Sequence, residues 1–137
     1  MGAWGVSVFA DDSSLDWIEE DYQNTGLSAV RRAVGVAADG YLEHDSGAAA
    51  RAAGEVVAVC FGSEPADVDP EDLALLKVHC AEVVADSTLP ALALTALERV
   101  AGPNSELNEL WTESESTATE WKSAITELRD RLEAVVQ

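Results

Sequence analysis

A run of carboxylates near the start of the chain is the first feature that could do chemistry. Asp12, Asp16 and Glu19 share one face if the stretch is helical, with Asp11 and Glu20 beside them. Three converging carboxylates can bind Mg²⁺ or Ca²⁺. The stretch has no DxDxDG loop and no nearby histidine, and first turns of helices favour acids. We therefore expect no metal or other cofactor here, and interpret these acids as a solvated or partner-facing surface.

The two cysteines, Cys60 and Cys80, together with His79, are a second candidate for chemistry. A cysteine nucleophile needs a histidine partner, but His79 and Cys80 are adjacent and would point about 100° apart on a helix. Both cysteines lie in apolar stretches, and two cysteines make neither a zinc site nor a disulfide framework. We expect buried free thiols in a reducing compartment, and hence a cytoplasmic protein. No catalytic residue is assigned.

Arg51 and Glu55 stand four residues apart in an otherwise apolar, alanine-rich stretch. If that stretch is a buried helix, the pair must be satisfied by partners. One interpretation is a structural salt bridge or a tether to the N-terminal segment. The other is a polar pair that binds a ligand.

Capping signals and apolar periodicity predict the elements that position these residues. The stretch from 47 to 61 is apolar almost all round, which is typical of a buried helix, and we expect it to be the central one. Trp121, Ile125, Leu128 and Leu132 recur at three- and four-residue spacing in the last helix. The predicted helices cover about residues 15–23, 27–38, 47–61, 70–85, 90–100, 105–111 and a last stretch to about 135.

The pattern predicts an all-α fold, a single-domain bundle of about five to seven helices over residues 1–137. WGVSVF near the start is the one stretch with strand-like alternation. We expect an extended N-terminal segment packed on the bundle, with Trp4 and Phe9 against the small residues of the central helix.

The chain is strongly acidic, with 26 Asp and Glu against 8 Lys and Arg and a formal net charge of −18. Such a chain repels nucleic acids and anionic membranes and attracts basic proteins. Its apolar runs are too short to span a membrane. Phosphate loops and the HExxH and GxSxG motifs are missing from the sequence. The remaining interpretation of the charge is that it maintains solubility.

The acids are concentrated in three stretches without a basic residue, 1–30, 63–72 and 103–121. If packing brings these stretches together, one face of the protein is strongly negative; otherwise the acidic shell is uniform. The predicted partner-binding residues are Asp11, Asp12, Asp16, Glu19, Glu20, Glu64, Asp67, Glu109 and Glu113.

Several motifs together resemble a known family. The opening MGAWG, Phe9, Asp11-Asp12 and Asp16-Trp17, with the later NSELNELW, are similar to the bacterial family domain of unknown function 4259. The alanine-rich stretch and the region around Trp121 are also similar. The resemblance implies an intact fold and a bacterial origin, and it assigns no activity and no catalytic residue.

Two classes of function follow. The first is a non-enzymatic interaction protein, such as an immunity protein or antitoxin-like inhibitor, that docks on a basic protein surface. The second is a metal-dependent or small-molecule enzyme that uses Asp11, Asp12, Asp16 and Glu55. An accessory protein with no stable partner is a third.

Overall fold

The computed structural model describes residues 11–36, 39–66 and 68–136, and these ranges contain helices and no strand. The first helix, α1, covers residues 12–25 in three consecutive stretches, of which Trp17–Tyr22 is π-helical. The other helices are α2 (Leu27–Val34), α3 (His44–Cys60), α4 (Pro70–Lys77), α5 (Cys80–Val83), α6 (Leu89–Val100), α7 (Glu106–Thr112) and α8 (Glu115–Val135).

The predicted all-α single-domain bundle is confirmed. The described ranges hold eight helices because the one predicted over residues 70–85 is two. The second helix, α2, ends at Val34 with Gly35 as its cap, before the expected end near residue 38. The expectations for Trp4, Phe9 and the WGVSVF stretch fall on residues 1–10, which lie outside the described ranges.

The helix α3 is the central element, as predicted. Its buried residues run almost without interruption from Gly47 to Val59, and all seven other helices contact it. Ala48, Ala52 and Ala53 are fully buried, and their short side chains let neighbouring helices approach closely. The most extensive of these contacts is with α6.

The break between α4 and α5 lies at His79, whose backbone leaves the helical region (φ −116°, ψ 23°). The start at Pro70 is as predicted, and Asp69 is the N-cap. The break turns Val83 into the core, whereas Val84 is 44% exposed. A single continuous helix was therefore the wrong prediction here, because the turn has no glycine or proline to mark it.

Cys60 and Cys80 form a disulfide, so the prediction of two buried free thiols is wrong. Their Cα atoms lie 4.9 Å apart, and both residues are only partly buried. The chain between them folds back and brings the start of α5 against the end of α3, which local apolar context does not reveal. The bond also removes the candidate nucleophile, since a disulfide sulfur is not a thiolate.

The last helix, α8, buries the predicted seam of Trp121, Ile125, Leu128 and Leu132 against the bundle. Trp111 belongs to α7, and its ring stacks on that of Trp121 with 6.3 Å between the ring centroids. None of the helices in the described ranges is both long and apolar enough to span a bilayer.

Gly54 of α3 provides a test of this packing. A Cβ at this position would lie 3.5 Å from Leu128 Cδ2 and 3.8 Å from Leu132 Cδ1, which are ordinary contact distances. We expect Gly54→Ala to raise the free energy of unfolding by about 0.5–1 kcal/mol, because alanine costs less backbone entropy in a helix. Gly54→Val should instead lower it by about 1–3 kcal/mol through overpacking. Denaturant unfolding measures both, and destabilisation by alanine would contradict the described packing of α3 on α8.

Candidate functional site

Two adjoining clefts, of about 390 and 250 Å³, lie where α1, α2 and the first turns of α3 meet. They share Trp17, Asp21, Asp45 and Ala49, and together form what we call the acidic groove. Four carboxylates line it, those of Asp16, Glu20, Asp21 and Asp45, and Arg32 stands on the α2 side.

The floor of the acidic groove is apolar. Trp17 is 7% exposed and stacks on Tyr22, with ring centroids 5.8 Å apart. Ala29 and Ala33 of α2 and Ala49 of α3 line the groove beside it, and their short side chains leave the space open. An apolar floor with a carboxylate rim suits the side chains of Lys and Arg, which bury an aliphatic stem and keep a charged head at the surface.

The start of α1 is fixed to α3 by hydrogen bonds. Asp11 is the N-cap, and its Oδ2 accepts from the backbone N of Ser14 at 3.0 Å and from Ser14 Oγ at 2.6 Å. Ser14 is fully buried, and its Oγ lies 3.2 Å from the carbonyl oxygen of Ala48. The carboxylate of Asp11 is thus held by the helix start, whereas Asp12, Asp16, Glu19 and Glu20 lie exposed along α1.

Ser13, His44 and Asp45 meet at one end of the acidic groove. Ser13 Oγ donates to Asp45 Oδ1 at 3.1 Å, and His44 Nδ1 lies 3.5 Å from Ser13 Oγ and 3.3 Å from Asp45 Oδ1. In a catalytic triad the serine and the acid contact different imidazole nitrogens. Here both contact Nδ1, so the cluster ties α1 to α3 and lacks the geometry for nucleophilic catalysis.

The acids of the 103–121 stretch reach the same end of α3. Glu106 Oε1 accepts from the backbone N of His44 at 3.0 Å, and Glu109 Oε1 accepts from the hydroxyl of Tyr41 at 2.6 Å. A one-residue bridge between Leu42 and Ser105 holds α7 there. Glu113 lies exposed at the end of α7.

The third acidic stretch lies at the opposite end. Glu64 Oε2 pairs with Lys77 Nζ at 2.6 Å, just beyond the last turn of α3. The 17 residues of α3 separate the two ends by about 25 Å. Two of the three acidic stretches therefore lie at one end of α3, and the predicted partner-binding residues do not form one continuous patch. Asp67 lies outside the described ranges.

Arg51 and Glu55 each contact a different part of α8. Glu55 Oε1 accepts from Arg131 Nη2 at 2.6 Å, and the guanidinium of Arg51 lies 5.2 Å from the ring centroid of Trp121. Burial lowers the pKa of Arg51, and the negative charges of Asp11 and Glu55 oppose that shift. Glu55 and Glu127 hold the pKa of Arg131 above its usual value. These contacts favour the structural interpretation of the pair.

Sequence reasoning identified Asp16 and Glu20 but not the other carboxylates of the groove. Asp45 was assigned to a connection between helices, and only the fold brings it across from Asp16. Over residues 11–36, 39–66 and 68–136, no group of three or more His, Cys, Asp or Glu side chains is arranged to hold a metal ion.

The family described as Domain of unknown function (DUF4259) matches residues 2–124, nine-tenths of the chain. The chain belongs to this family. The resemblance drawn from the opening motif and NSELNELW is confirmed. No curated protein and no solved structure was found to match the chain. The family match includes every residue of the acidic groove and ends inside α8.

The turn between α1 and α2 holds two walls of the groove in place. It is fastened to the segment from Leu75 to Asp86, which we call the buttress. Tyr22 Oη donates to the carbonyl of Leu76 at 2.7 Å, and His79 Nε2 donates to that of Gln23 at 2.9 Å. Further contacts join Gln23 to Leu75, Leu27 N to Glu82 Oε1 and Arg31 to Asp86.

Gly26 tests the fit of the turn on the buttress. Its φ of +53° disfavours any side chain, and a Cβ there would lie 3.0 Å from His79 Cγ and closer still to Glu82 Oε1. Gly40 also has a positive φ, +87°, but no atom lies within 4 Å of its Cβ position.

We expect Gly40→Ala to lower the free energy of unfolding by about 1–2 kcal/mol, the cost of the left-handed backbone. Gly26→Ala should lower the free energy of unfolding by more than Gly40→Ala does, because the buttress must also shift to make room for the Cβ atom. Chemical denaturation of the two variants gives the difference. Equal losses would contradict the close contact between the turn and the buttress.

Tyr22 makes the groove's support sensitive to alkaline pH. Burial raises the pKa of Tyr22 from its usual 10 to about 12. The folded protein keeps this proton at pH values where the unfolded chain has lost it, so stability falls as pH rises from about 10 to 12.

Tyr22→Phe should lower the free energy of unfolding at neutral pH by about 1–3 kcal/mol, because the Leu76 carbonyl and His79 N–H lose a partner. The stability of the same variant should also fall less than that of the wild type as the pH rises into the alkaline range. Denaturant unfolding at several pH values measures this fall. Tyr41→Phe is the control, since the hydrogen bond to Glu109 raises the pKa of exposed Tyr41 to about 12 as well. If the free energy of unfolding of Tyr22→Phe falls at alkaline pH by as much as that of Tyr41→Phe, the role of Tyr22 is refuted.

Proposed function

We propose that this protein is a non-enzymatic acidic interaction domain that binds a basic partner protein through the acidic groove. An inhibitor of the immunity or antitoxin kind, which covers a basic surface of its target, is the form of partnership we favour. The observation that carries this proposal is the placement of four carboxylates around the apolar floor at Trp17. That arrangement suits lysine or arginine side chains of a protein better than a small anionic ligand.

The charge of the whole chain supports the same proposal. At a net charge of −18, the protein attracts cationic partners over several ångströms beyond contact and repels nucleic acid. Acids at both α1 and α7 contribute to the field at the groove's end of α3. Arg32 gives the groove a direction, because a carbonyl or carboxylate of the occupant is favoured on the α2 side.

The cytoplasmic location expected from the sequence is part of this proposal. The free thiols that supported it are a disulfide instead. Disulfides in cytosolic proteins are usually transient or redox-responsive, whereas those of exported proteins are permanent. In the cytoplasm, the Cys60–Cys80 bond would therefore change with the redox state. The enzyme and accessory alternatives remain predictions from the sequence, and no contact among the described residues favours them.

The proposal is tested with two variants that remove the same number of negative charges. The groove variant carries D16N, E20Q, D21N and D45N. The control variant carries E71Q, E98Q, D130N and E133Q, all at exposed positions away from the groove. E71Q matches D45N because both residues lie in the first turn of a helix.

Each protein is immobilised and exposed to lysate of its native host at low salt and at about 0.5 M salt, where charges are strongly screened. We expect the wild type and the control variant to retain the same basic protein at low salt and release it at high salt. The groove variant should retain at least ~10-fold less. No retained protein, or equal loss from both variants, would refute the proposal.

A further inference from the structure

The Cys60–Cys80 disulfide joins the last residue of the central helix to the first residue of α5. Both cysteines are partly exposed, in contrast to the fully buried residues Val56 to Ala58 one turn earlier in α3. A partly exposed disulfide can be reached by a reductant, whereas a disulfide enclosed in the core cannot.

Few apolar contacts hold the buttress to the bundle apart from this bond. Of its residues, only Leu76 and Val83 are buried hydrophobic side chains, while Val78 is 53% and Val84 is 44% exposed. Its other attachments are hydrogen bonds, of which the one from Tyr22 Oη to the Leu76 carbonyl is buried, and the ion pair of Asp86 with Arg31. Segments with few buried apolar side chains open at a lower free-energy cost than the core, and the disulfide adds a covalent attachment to this one.

The buttress in turn positions α2, one wall of the acidic groove. Glu82 Oε1 accepts from Leu27 N at 3.2 Å, which caps the start of α2. Asp86 Oδ2 pairs with Arg31 Nε at 2.9 Å, which fixes its last turn. The next two residues of the same helix, Arg32 and Ala33, line the groove.

We propose that the Cys60–Cys80 disulfide is a redox switch that sets the rigidity of α2 and thereby the affinity of the acidic groove for its partner; this regulatory role rests on the proposed function. Oxidised, the bond holds the buttress, and the buttress holds α2. Reduced, the buttress loosens and the groove loses one fixed wall, so a partner must order α2 on binding.

The reductant is a dithiol. One of its thiolates attacks a sulfur of the Cys60–Cys80 bond to give a mixed disulfide and release the other cysteine as a thiol. Its second thiolate then displaces the remaining cysteine. Two electrons and two protons pass to Cys60 and Cys80, and the dithiol leaves as a disulfide. The reverse exchange with an oxidised dithiol restores the bond.

The rest of the bundle does not depend on this bond. The core between α3, α6 and α8 includes Leu97, Val100, Trp121 and Leu132, which are buried and lie outside the chain segment from Cys60 to Cys80. Reduction should therefore loosen the buttress and α2 and leave the central bundle folded, as a reversible switch requires.

Hydrogen exchange followed by mass spectrometry tests the switch without any partner. We compare the oxidised protein, the protein reduced with a dithiol, the reoxidised protein and the C60S/C80S variant. Reduction should speed exchange at least ~10-fold in residues 27–34 and 75–86. The exchange of the protected amides of α3, α6 and α8 should stay unchanged. Reoxidation should restore slow exchange in the two segments. In C60S/C80S, residues 27–34 and 75–86 should exchange fast both with and without the dithiol.

Unchanged exchange on reduction would overturn the proposal. Loss of protection over the whole bundle would also overturn it, because the bond would then be a structural brace. E82Q/D86N, studied with the disulfide intact, tests the route: residues 27–34 should exchange faster while residues 75–80 stay protected. If α2 stays protected in this variant, the buttress does not transmit the redox state.

Partner binding is then measured with oxidised and reduced wild type, with C60S/C80S as the control that ignores reductant. We expect at least ~5-fold weaker binding after reduction. Equal affinity in both states, with the exchange change present, would overturn the regulatory role while the proposed function stands. Absence of a partner in both states refutes the proposed function, and the exchange data still decide whether α2 responds to the bond.

Discussion

The structure depends on burying α3, a helix whose surface is apolar on almost every side. From Gly47 to Val59 its residues are buried nearly without interruption. A helix of this kind is unstable alone and requires neighbours on every side. The two charged side chains in this buried stretch add a second requirement. Glu55 and Arg51 must find partners inside the bundle, and α8 meets both needs with Arg131 and the ring of Trp121.

The acidic groove lies over the first turns of α3, around Asp45 and Ala49. Residues of α1 and α2 line it as well. The π-helical stretch Trp17–Tyr22 lies along this groove, and such stretches are frequent at functional sites. Carboxylates rather than apolar side chains fill the rim, so the groove is not an extension of the core.

Local patterns in the sequence predicted those parts of the fold that local physics determines. The apolar circumference of α3 and the seam of α8 each follow from neighbouring residues. The partner of Glu55 could not be found in this way, because Arg131 lies 76 residues away. The same holds for Cys60 with Cys80 and for Asp16 with Asp45, whose proximity is created by chain reversals. The break at His79 was missed for a different reason, because contacts with Tyr22 and Gln23 stabilise it.

The ion pair between Glu55 and Arg131 also shows that the family signature and the folding unit have different limits. The signature ends at residue 124, yet Leu128, Arg131 and Leu132 lie beyond it and are buried on α3. A chain shortened to that limit would leave a carboxylate in the bundle interior without its cation and would open one side of the central helix to water. The part of α8 after residue 124 therefore belongs to the folding unit of this chain, although the family match does not extend to it.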